Sequence, residues 1–409
     1  MHFLDGMEGR YNYNMNILHV TDVYARQPGG VPTFIRDLVR ATPEKNHSVL
    51  TFSYEASAPN EEKIEGVRVI YAPIKKGLKP FYLSGQKNMK ERINKLKRTH
   101  HIDVLHIHMP FSGLAVASQL VSMPILYTFH GSWGDEYAYE AKGIKRSTGI
   151  YKLERRYMRR IERRALEYAS TIVTFSDYMR NEVAKYNISP PHSYDKIPGA
   201  IDLNEFHVIS NEERSELKQR YNMSPEKLNI FLLRRLVKRV GIGAFIQTLA
   251  IIKSQRRDFH VYIGGKGPER ERLEKLVSEE DLRSYVTFLG FISDEDRVIY
   301  YNSADVTVMP SRTMEGFGLA TLESMACGTP VIGFPTGANT ELIGSFNDSF
   351  LSSEATPKSL AENMLKNWNL LKSGSMREQS RSYAENFSYE VFGQRYNKIY
   401  NKLSQGIIT

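Results

Sequence analysis

The amino-acid sequence predicts an α/β protein built from two doubly wound domains, each with a parallel β-sheet. Short apolar runs of strand length alternate along the chain with stretches of helical periodicity, which is typical of parallel sheets covered by helices. The chain has 409 residues, which is long for a single hydrophobic core. The alternation stops across the polar segment 202–227 and then restarts. We therefore predict a boundary near residue 207, between domains at 15–207 and 208–388.

The predicted strands are short apolar runs bounded by polar or turn-forming residues. Those of the first domain lie at 16–21, 48–52, 67–71, 104–108, 125–129 and 171–175. Those of the second domain lie at 229–233, 260–264, 285–288, 306–309 and 331–334. A last helical stretch falls within 389–409, and residues 1–14 are expected to be a loose extension or to precede the true start. Ligands bind at the carboxyl ends of such strands, so the residues that follow each strand are the candidates for function.

Composition places the chain among ordinary globular proteins, with 41% hydrophobic and 25% charged residues. The single cysteine, Cys327, excludes an internal disulfide framework and fits a reducing compartment. No run approaches the roughly 18–20 apolar residues that span a bilayer, and the N-terminus lacks the pattern of a signal peptide. We therefore expect a soluble, cytoplasmic protein.

The net charge of +9 is concentrated between residues 142 and 164. The basic residues there are Lys142, Lys145, Arg146, Lys152, Arg155, Arg156, Arg159, Arg160, Arg163 and Arg164. The apolar residues at helical spacing are Ile150, Leu153, Tyr157, Ile161, Ala165 and Tyr168. This pattern predicts an amphipathic helix, either lying with its basic face on anionic lipid headgroups or simply solvated and packed by its apolar stripe. A nucleic-acid partner is not expected, because no aromatic and basic interleaving accompanies the charge.

The segment 310–337, PSRTMEGFGLATLESMACGTPVIGFPTG, is the most informative part of the chain. It places Glu315 and Glu323 eight positions apart around the glycine-flanked Phe317, with a helical stretch at 319–326. Such a loop brings backbone N–H groups close to a phosphate, and the helix that follows adds its positive dipole end. Glu323 is placed to accept hydrogen bonds from a diol such as ribose, and Glu315 could reach a sugar ring or support a developing positive charge. The segment predicts a nucleotide-sugar ligand.

Polar residues also follow two predicted strands of the first domain. Gly29 and Gly30 lie in a strand-to-helix loop, where paired glycines allow close approach to an anion or a sugar. His130 follows the strand at 125–129 and is expected at the edge of the sheet. Asp135 and Glu136 come soon after it and either contact an acceptor or belong to a surface loop.

Two motifs suggest a metal but have simpler explanations. His106 and His108 alternate on one strand and point to the same side, but no third ligand has suitable spacing. We assign His106 to packing and His108 to the polar edge, where it could contact an acceptor. The run Asp294-Glu295-Asp296 follows Ser293 at the start of a helical pattern, where acids and a serine cap are favoured. We therefore expect no metal requirement.

Basic residues end the first strand of the second domain. The stretch FLLRRLVKRVG carries Arg234, Arg235, Lys238 and Arg239 at the end of the strand at 229–233. Solvated surface charge is the alternative interpretation. A glycine-rich turn, GGKG, and the segment TFLGFIS follow the next two strands, and backbone groups around Phe291 could contact a base.

Taken together, these motifs resemble the GT-B glycosyltransferases of the large retaining group called family 4. The resemblance rests chiefly on the E-x7-E spacing with GFGL between and ACGTPVI after, and it runs from Met15 to about Tyr400. It implies two Rossmann-like domains facing across a cleft, with a terminal helix, 389–409, that crosses back to the first domain. The first domain would bind the acceptor, and the second the nucleotide-diphospho-sugar donor.

The resemblance also implies roles for single residues. Arg235 aligns with the family arginine that neutralises the donor diphosphate, but the family's lysine position holds Val240. Lys238 or Arg239 would then supply the second charge. The catalytic residues implied are His130, Arg235 and Glu315. The donor-binding residues implied are Gly29, Gly30, Lys238, Arg239, Phe291, Phe317, Gly318, Leu319 and Glu323.

The function implied is retaining, metal-independent transfer of a hexose-type sugar without a cofactor. A UDP-sugar is expected because such donors are common in the family. The acceptor would be a saccharide, a lipid-linked saccharide or a small molecule, as in polysaccharide or glycoconjugate assembly, with the protein peripheral on the inner face of the membrane. Two alternatives stay open: a GT-B sugar-nucleotide epimerase, and a non-catalytic nucleotide-sugar-binding subunit, which Val240 would favour.

Overall fold

A computed structural model describes residues 14–24, 29–53, 59–74, 81–120, 122–141, 148–189, 193–313 and 315–406. The chain divides into two compact units. The N-terminal unit consists of Met1–Val173, Tyr186–Asp195 and Gly393–Thr409, and the C-terminal unit of Thr174–Lys185 and Lys196–Phe392. The chain therefore enters the second unit earlier than the predicted boundary near 207. The predicted extension at 1–14 lies almost wholly outside the described residues.

Among the described residues, the first sheet has eight strands in the order β3-β4-β2-β1-β5-β6-β7-β8. Its strands are β1 Asn16–Val20, β2 Asn46–Ser53, β3 Glu61–Ile64, β4 Val67–Pro73, β5 Val104–Ile107, β6 Ile125–Phe129, β7 Thr171–Thr174 and β8 Ser193–Lys196. The helices between them are α1 Gly30–Ala41, α2 Phe81–Thr99, α3 Pro110–Ala117, α4 Trp133–Ala141, α5 Thr148–Glu167 and α6 Asp177–Ala184. The four strands β2, β1, β5 and β6 are neighbours and run parallel.

The second sheet has five parallel strands in the order β11-β10-β9-β12-β13. They are β9 Leu228–Leu233, β10 Phe259–Gly264, β11 Val286–Gly290, β12 Val306–Met309 and β13 Val331–Gly333. The helices are α7 Asn211–Arg220, α8 Ile242–Lys253, α9 Arg270–Glu279, α10 Asp294–Ser303, α11 Leu319–Ala326, α12 Asn339–Phe346, α13 Pro357–Lys366, α14 Trp368–Lys372, α15 Arg377–Glu385 and α16 Tyr389–Ser404. Two single 3-10 turns lie at Lys238–Val240 and Asp348–Phe350.

The predicted fold class, two Rossmann-like parallel-sheet domains, is confirmed. Every predicted strand is present. They could be predicted because parallel strands that are buried on both faces appear in the sequence as continuous apolar runs. The short strands β3 and β8 were not predicted, since both are polar and lie at opposite edges of the first sheet. From Gly393 onward α16 belongs to the N-terminal unit, where Tyr396 and Tyr400 are fully buried.

The basic helix corresponds to α5, but its buried stripe differs from the predicted one. Ile161 and Ala165 are buried as expected, whereas Leu153 is 70% exposed and Tyr157 is 51% exposed. Met158 takes a buried position instead. The predicted cations Lys142, Lys145 and Arg146, and the side chain of Ile150, lie outside the described residues. Among the described helices, none combines the length and the apolar character that crossing a membrane would take.

Candidate active site

In the C-terminal unit, Glu315 is held by a cation and a hydroxyl. Nη2 of Arg234 and Oγ of Ser311 each donate to Oε2 of Glu315 at 2.7 Å. The two charged side chains are 14% and 7% exposed, respectively. Arg234 directly follows β9, and Ser311 follows the neighbouring strand β12, so the cluster lies at the carboxyl ends of adjacent parallel strands. This is where ligands bind in doubly wound sheets.

Three glycines allow backbone segments to approach each other closely around the loop that carries Arg234. A Cβ atom at Gly265 would lie 2.0 Å from the carbonyl oxygen of Arg234, and one at Gly267 would lie 2.2 Å from that of Leu236. At Gly241, where φ is +81°, a Cβ would lie 1.9 Å from the oxygen of Pro310. The glycine-rich turn after β10 therefore positions the basic loop, which is a structural use of these glycines.

The adjacent arginines at the end of β9 have different surroundings. Arg235 is exposed, while Arg234 points to Glu315. Lys238 is exposed, Arg239 is half-buried, and Val240, which stands at the family's lysine position, is 2% exposed in the core. The sequence pattern places Arg234 among the other cations and does not connect it to Glu315. Its position next to Arg235 was the only sequence signal that Arg234 belongs to the site. Adjacency alone does not tell which of the two side chains turns inward.

The glycine loop before α11 is shaped by packing within the same unit. Gly318 is in the left-handed region, with φ of +90°, and is the N-cap residue of α11. Phe317 is 8% exposed, and a Cβ at Gly199 would lie 2.7 Å from its ring. Oγ of Ser176 donates to the oxygen of Gly316 at 2.8 Å. The side chain of Phe317 thus anchors the loop, which leaves only backbone groups of 317–319 as candidates for contacting a phosphate.

Glu323 lies on α11 and has two partners on α10. The Tyr301 hydroxyl donates to Oε2 at 2.9 Å, and Nη1 of Arg297 donates to Oε1 at 3.2 Å. Burial raises the pKa of the Glu323 carboxyl above its ordinary value, although Arg297 and Tyr301 oppose the rise. A carboxylate has about four acceptor positions, so each oxygen can accept a further hydrogen bond. Arg297 and Tyr301 were not predicted, because the acidic motif at the start of α10 does not indicate which later residues of the helix face Glu323.

Two further predictions fall on exposed segments of this unit. Phe291 is 71% exposed, and Nζ of Lys266 lies 5.1 Å from the centre of its ring. The acids 294–296 begin α10, where Oγ of Ser293 accepts from the backbone N–H of Asp296 at 3.1 Å. The capping interpretation of these acids is confirmed.

In the N-terminal unit, Gly29 and Gly30 stand at the start of α1, directly after the undescribed residues 25–28. A Cβ at Gly30 would meet no atom within 4 Å, so the surrounding described residues do not require a glycine there. His130 follows β6, and its Nε2 lies 3.2 Å from Nδ1 of His108. Burial lowers the pKa of His130 to about 3, so the ring is neutral at neutral pH.

His108 directly follows β5, at the predicted edge of the sheet, but its ring is not accessible there. The ring is 1% exposed and lies between His130 and His19, so it is not placed to touch an acceptor directly. His106 is also buried, with ring nitrogens near the Tyr400 hydroxyl at 2.8 Å and the Thr128 hydroxyl at 2.7 Å, as a packing role requires. The third histidine that the spacing did not reveal is His19, which is 0% exposed. It comes from β1, nearly ninety positions away in the sequence.

Asp135 is bound by two arginines of α5. Nε of Arg155 donates to it at 2.6 Å, and Nη1 of Arg159 at 2.7 Å. These contacts give Asp135 a structural role, joining α4 to α5, and they compete with the predicted acceptor contact. Glu136 is exposed, so its side chain is accessible to solvent.

The outer face of α5 combines cations with apolar side chains. Leu153 and Tyr157 are separated by one helical turn, and Arg156, Arg160 and Arg164 fall on the same stripe by their spacing. All five are exposed. The described part of α5 therefore presents one mixed basic and apolar stripe to solvent.

Comparisons with known proteins agree on the class of protein. The model of glycosyl transferases group 1 matches residues 213–387, and the model of glycosyltransferase family 4 matches residues 28–205. An uncharacterized glycosyltransferase of Methanocaldococcus jannaschii is 28% identical over 342 residues, 80% of this chain and 83% of that protein. The alpha-monoglucosyldiacylglycerol synthase of Streptococcus pneumoniae is 25% identical over 328 residues, 78% of this chain and 70% of that protein.

A solved structure has the same fold. HepE of Anabaena, crystallised in complex with UDP, superposes with a TM-score of 0.75 at 17% sequence identity. The match covers 95% of this chain and all of that one. At this identity the likeness concerns the fold alone.

Proposed function

Because the chain belongs to the GT-B glycosyltransferases of the family 4 type, we propose that it moves a hexose from a nucleotide-diphospho-sugar to an acceptor hydroxyl with retention at the anomeric carbon. UDP is the proposed nucleotide, because UDP-sugars are common donors in this family; the fold neighbour HepE was crystallised with UDP. A lipid-linked saccharide or another lipid-anchored hydroxyl is the proposed acceptor. The name of the Streptococcus pneumoniae relative, alpha-monoglucosyldiacylglycerol synthase, is that of an enzyme that makes a glycosylated lipid, and it supports this choice.

The observation that carries the proposal is the cluster at the ends of β9 and β12. It brings the buried pair of Arg234 and Glu315 next to the exposed Arg235, at one edge of a parallel sheet. The amino end of α11 begins at Gly318 in the same unit, and helix N-termini stabilise phosphate. Glu323 adds a carboxylate that retains acceptor capacity for a diol. Cations, a helix N-terminus and two carboxylates together match a sugar joined to a diphosphate.

The proposed reaction breaks the bond between the anomeric carbon and the diphosphate oxygen, and the electron pair leaves with the diphosphate. Arg235 and a neighbouring cation, with the backbone N–H groups of 317–319, stabilise this leaving group by preorganised electrostatics. Glu315 supports the sugar as positive charge develops at its ring. The acceptor oxygen forms the new bond on the same face, and its proton passes to the leaving phosphate oxygen.

Arg234 supplies charge inside the site that Val240 does not provide. The side chain of Val240 is apolar and buried, so it has no polar contact to offer a phosphate. Arg234 is already turned inward by Glu315, at 2.7 Å. We therefore add Arg234 to Lys238 and Arg239 as the candidates for the second cation. A site with this many cations has charge enough for a diphosphate, so the proposal includes no metal requirement.

The membrane part of the proposal rests on the exposed stripe of α5. Lysine and arginine near a surface gain about 1 kcal/mol each from anionic lipids. Leu153, at 70% exposure, can insert among the acyl chains beside them. Such an attachment would hold the protein at the inner face of the membrane, where lipid-linked acceptors are found.

The first experiment is a thermal-shift panel with UDP, GDP, ADP and their common sugar conjugates, with and without EDTA. We expect a clear rise in melting temperature with uridine nucleotides that EDTA does not reduce, because a ligand that binds the folded state stabilises it. A shift that EDTA abolishes contradicts the metal-free site. The absence of a shift with every nucleotide contradicts the donor site itself.

Turnover then separates transfer from the two alternatives. With the stabilising donor and extracted membrane lipids, a transferase makes a glycosylated lipid and releases the nucleoside diphosphate. An epimerase would convert the donor sugar without any acceptor, and a binding subunit would leave the donor unchanged. Analysis of the product's anomeric configuration tests retention directly.

Vesicle flotation tests the role of α5. Replacing Lys152, Arg156, Arg160 and Arg164 with glutamine is expected to release the protein from vesicles that contain phosphatidylglycerol. Arg155 and Arg159 stay in place, because Asp135 binds them. The matched control replaces four exposed cations of α2, namely Lys87, Lys95, Lys97 and Arg98. Equal release by both variants would mean that net charge, not this face, drives attachment, and no binding by the wild type excludes the surface.

A further inference from the structure

Four histidine rings of the N-terminal unit form a continuous hydrogen-bonded chain. Nδ1 of His47 lies 2.9 Å from Nε2 of His19, and Nδ1 of His19 lies 3.0 Å from Nε2 of His108. Nδ1 of His108 lies 3.2 Å from Nε2 of His130. The same sense, Nδ1 to Nε2, is repeated at all three links. We call this chain of four rings the histidine relay.

The relay crosses four neighbouring strands diagonally. His47 lies on β2, His19 on β1, and His108 and His130 directly after β5 and β6. In the sheet register Ile17 pairs with His47, and His19 pairs with His106, so each step moves one strand sideways and two residues forward. Steps of two residues keep all side chains on one face of the sheet. The relay therefore runs from the beginning of β2, which we call its inner end, to the carboxyl edge of the sheet.

The inner end of the relay determines where the protons are. Nε2 of His47 lies 3.1 Å from the carbonyl oxygen of Thr42 and 3.0 Å from its hydroxyl oxygen. A carbonyl oxygen can only accept, and the single hydroxyl proton of Thr42 is donated to the carbonyl of Leu38 at 2.7 Å. Nε2 of His47 must therefore carry the hydrogen, which makes Nδ1 of that ring an acceptor.

The assignment at His47 fixes the direction of hydrogen-bond donation, or polarity, along the whole relay, because a neutral imidazole has one donor and one acceptor nitrogen. His19 must donate from Nε2 to His47, so its Nδ1 accepts from Nε2 of His108. Nδ1 of His108 in turn accepts from Nε2 of His130. Burial keeps the rings neutral: it lowers the pKa of His47 to about 4 and that of His130 to about 3, and it lowers those of His19 and His108.

We propose that the histidine relay, anchored at the Thr42 carbonyl, holds His130 as the Nε2–H tautomer and makes Nδ1 its acceptor nitrogen. His47, His19 and His108 are then positioning residues, which act on a ligand only through His130. One consequence rests on the proposed function. The tautomer favours a donor sugar with a hydroxyl that donates its hydrogen to Nδ1 of His130. The relay also explains why a buried face of the sheet carries so many histidines.

A metal is the competing explanation for these rings. Ring nitrogens of His19, His106 and His108 lie within 4.8 Å of one another. However, both nitrogens of His106 already have hydroxyl partners, and the facing nitrogens of His19 and His108 are bonded to each other. A metal would need these nitrogens bare, whereas the relay needs a hydrogen between His19 and His108.

Nitrogen-15 NMR of the full-length protein with labelled histidine tests the relay without any donor present. It distinguishes protonated from bare ring nitrogens, and a His130→Gln variant assigns the signals. In the wild type at neutral pH we expect Nε2 of His130 to be protonated and Nδ1 to be bare. A proton on Nδ1 overturns the proposal, as does a stoichiometric transition metal bound to His19 and His108.

Variants at the inner end test whether the polarity is transmitted. His47→Phe removes the acceptor for His19, so we expect the two tautomers of His130 to mix. His47→Asn offers an amide oxygen near the position of Nδ1 and is expected to restore the wild-type spectrum. The control His101→Phe changes an exposed ring outside the relay, bonded to Asp103 at 2.9 Å. An unchanged His130 spectrum in a folded His47→Phe protein overturns transmission.

The wild-type spectrum tests the polarity even if His47→Phe does not fold. A functional measurement can follow once a donor is known. If the tautomers become equally populated, half of the molecules are competent, so the apparent dissociation constant of the donor should rise about twofold. If the protein uses no nucleotide-sugar, this last measurement cannot be made, but the tautomer result still stands. The proposed function and the histidine relay can therefore fail separately.

Discussion

In the N-terminal unit a chain of neutral rings crosses neighbouring strands, whereas in the C-terminal unit an ion pair lies at the ends of neighbouring strands. His19 and His108 are fully buried and satisfied by hydrogen bonds to other rings. Arg234 and Glu315 are nearly as buried but are satisfied by each other's charge. A buried ion needs a partner of opposite charge, while a buried imidazole needs only a donor and an acceptor.

This difference indicates what each unit can offer a ligand. A paired set of ions stabilises charge that appears or moves, as in a departing diphosphate. A chain of neutral rings has little charge to offer, but it orients one donor and one acceptor accurately. The two units share a doubly wound architecture, so the difference comes from the residues placed at the strand ends and not from the fold.

The largest effect is expected when the ion pair is broken. Arg234→Ala leaves Glu315 buried without its cation, which costs about 3–5 kcal/mol in the free energy of unfolding. The control Arg235→Ala changes an exposed side chain and should stay within about 0.5 kcal/mol, while lowering turnover. Adding Glu315→Gln to Arg234→Ala should recover part of the lost stability, because the unpaired charge is gone.

Denaturant unfolding can report this unit alone. The protein has two tryptophans, Trp133 in the N-terminal unit and the buried Trp368 in the C-terminal unit. In a Trp133→Phe background, fluorescence therefore follows Trp368. Equal, small losses in Arg234→Ala and Arg235→Ala would contradict the distinction between an inward and an outward arginine.

A smaller effect is expected at the second carboxylate, and it concerns binding. Glu323→Ala removes the proposed acceptor for the ribose diol, so donor affinity should fall by about 1–3 kcal/mol, the scale of a hydrogen bond to a charged group. Calorimetric titration with the stabilising nucleotide measures it. Glu271→Ala, an exposed acid on α9, is the matched control. Unchanged affinity in Glu323→Ala would remove this residue from the donor site.

The last effect, which is the smallest when it is taken per pH unit, concerns protons and the neutral unit. An unfolded histidine titrates near 6.5, while His47 in the folded protein has a pKa of about 4. The stability that comes from keeping this ring neutral is fully present above pH 6.5 and is lost as the pH falls through 4. Between these values His47 contributes a slope of about 1.4 kcal/mol per pH unit.

A comparison of wild type with His47→Phe isolates that slope. Burial raises the pKa of Asp22 to about 6 and that of Glu162 to about 7, and these carboxyls act in the opposite direction in both proteins. The effect of these two carboxyls therefore cancels when the free energy of unfolding of one protein is subtracted from that of the other. A Trp368→Phe background leaves Trp133 to report the N-terminal unit. Parallel stability curves below pH 6.5 would show that His47 titrates normally in the folded state.

Local patterns carried the successful predictions. The continuous apolar runs indicated every predicted strand, and Ser293 with three acids indicated the start of α10, because both signals lie within a few residues. The glycine-flanked loop at 316–318 was also predicted from local residues, because a left-handed backbone conformation before a helix favours glycine. Polar edge strands such as β3 have no such signal, because their burial depends on the neighbouring strand.

The sequence by itself determined the fold class, the loop before α11 and the charge at the end of β9, since each is encoded by neighbouring residues. The tertiary structure alone decided which of two adjacent arginines meets Glu315, a residue 81 positions away. It also decided the order in which histidines from four strands meet, because that depends on strand order and register across the sheet. Contacts between distant segments are selected by packing, and no local pattern specifies them.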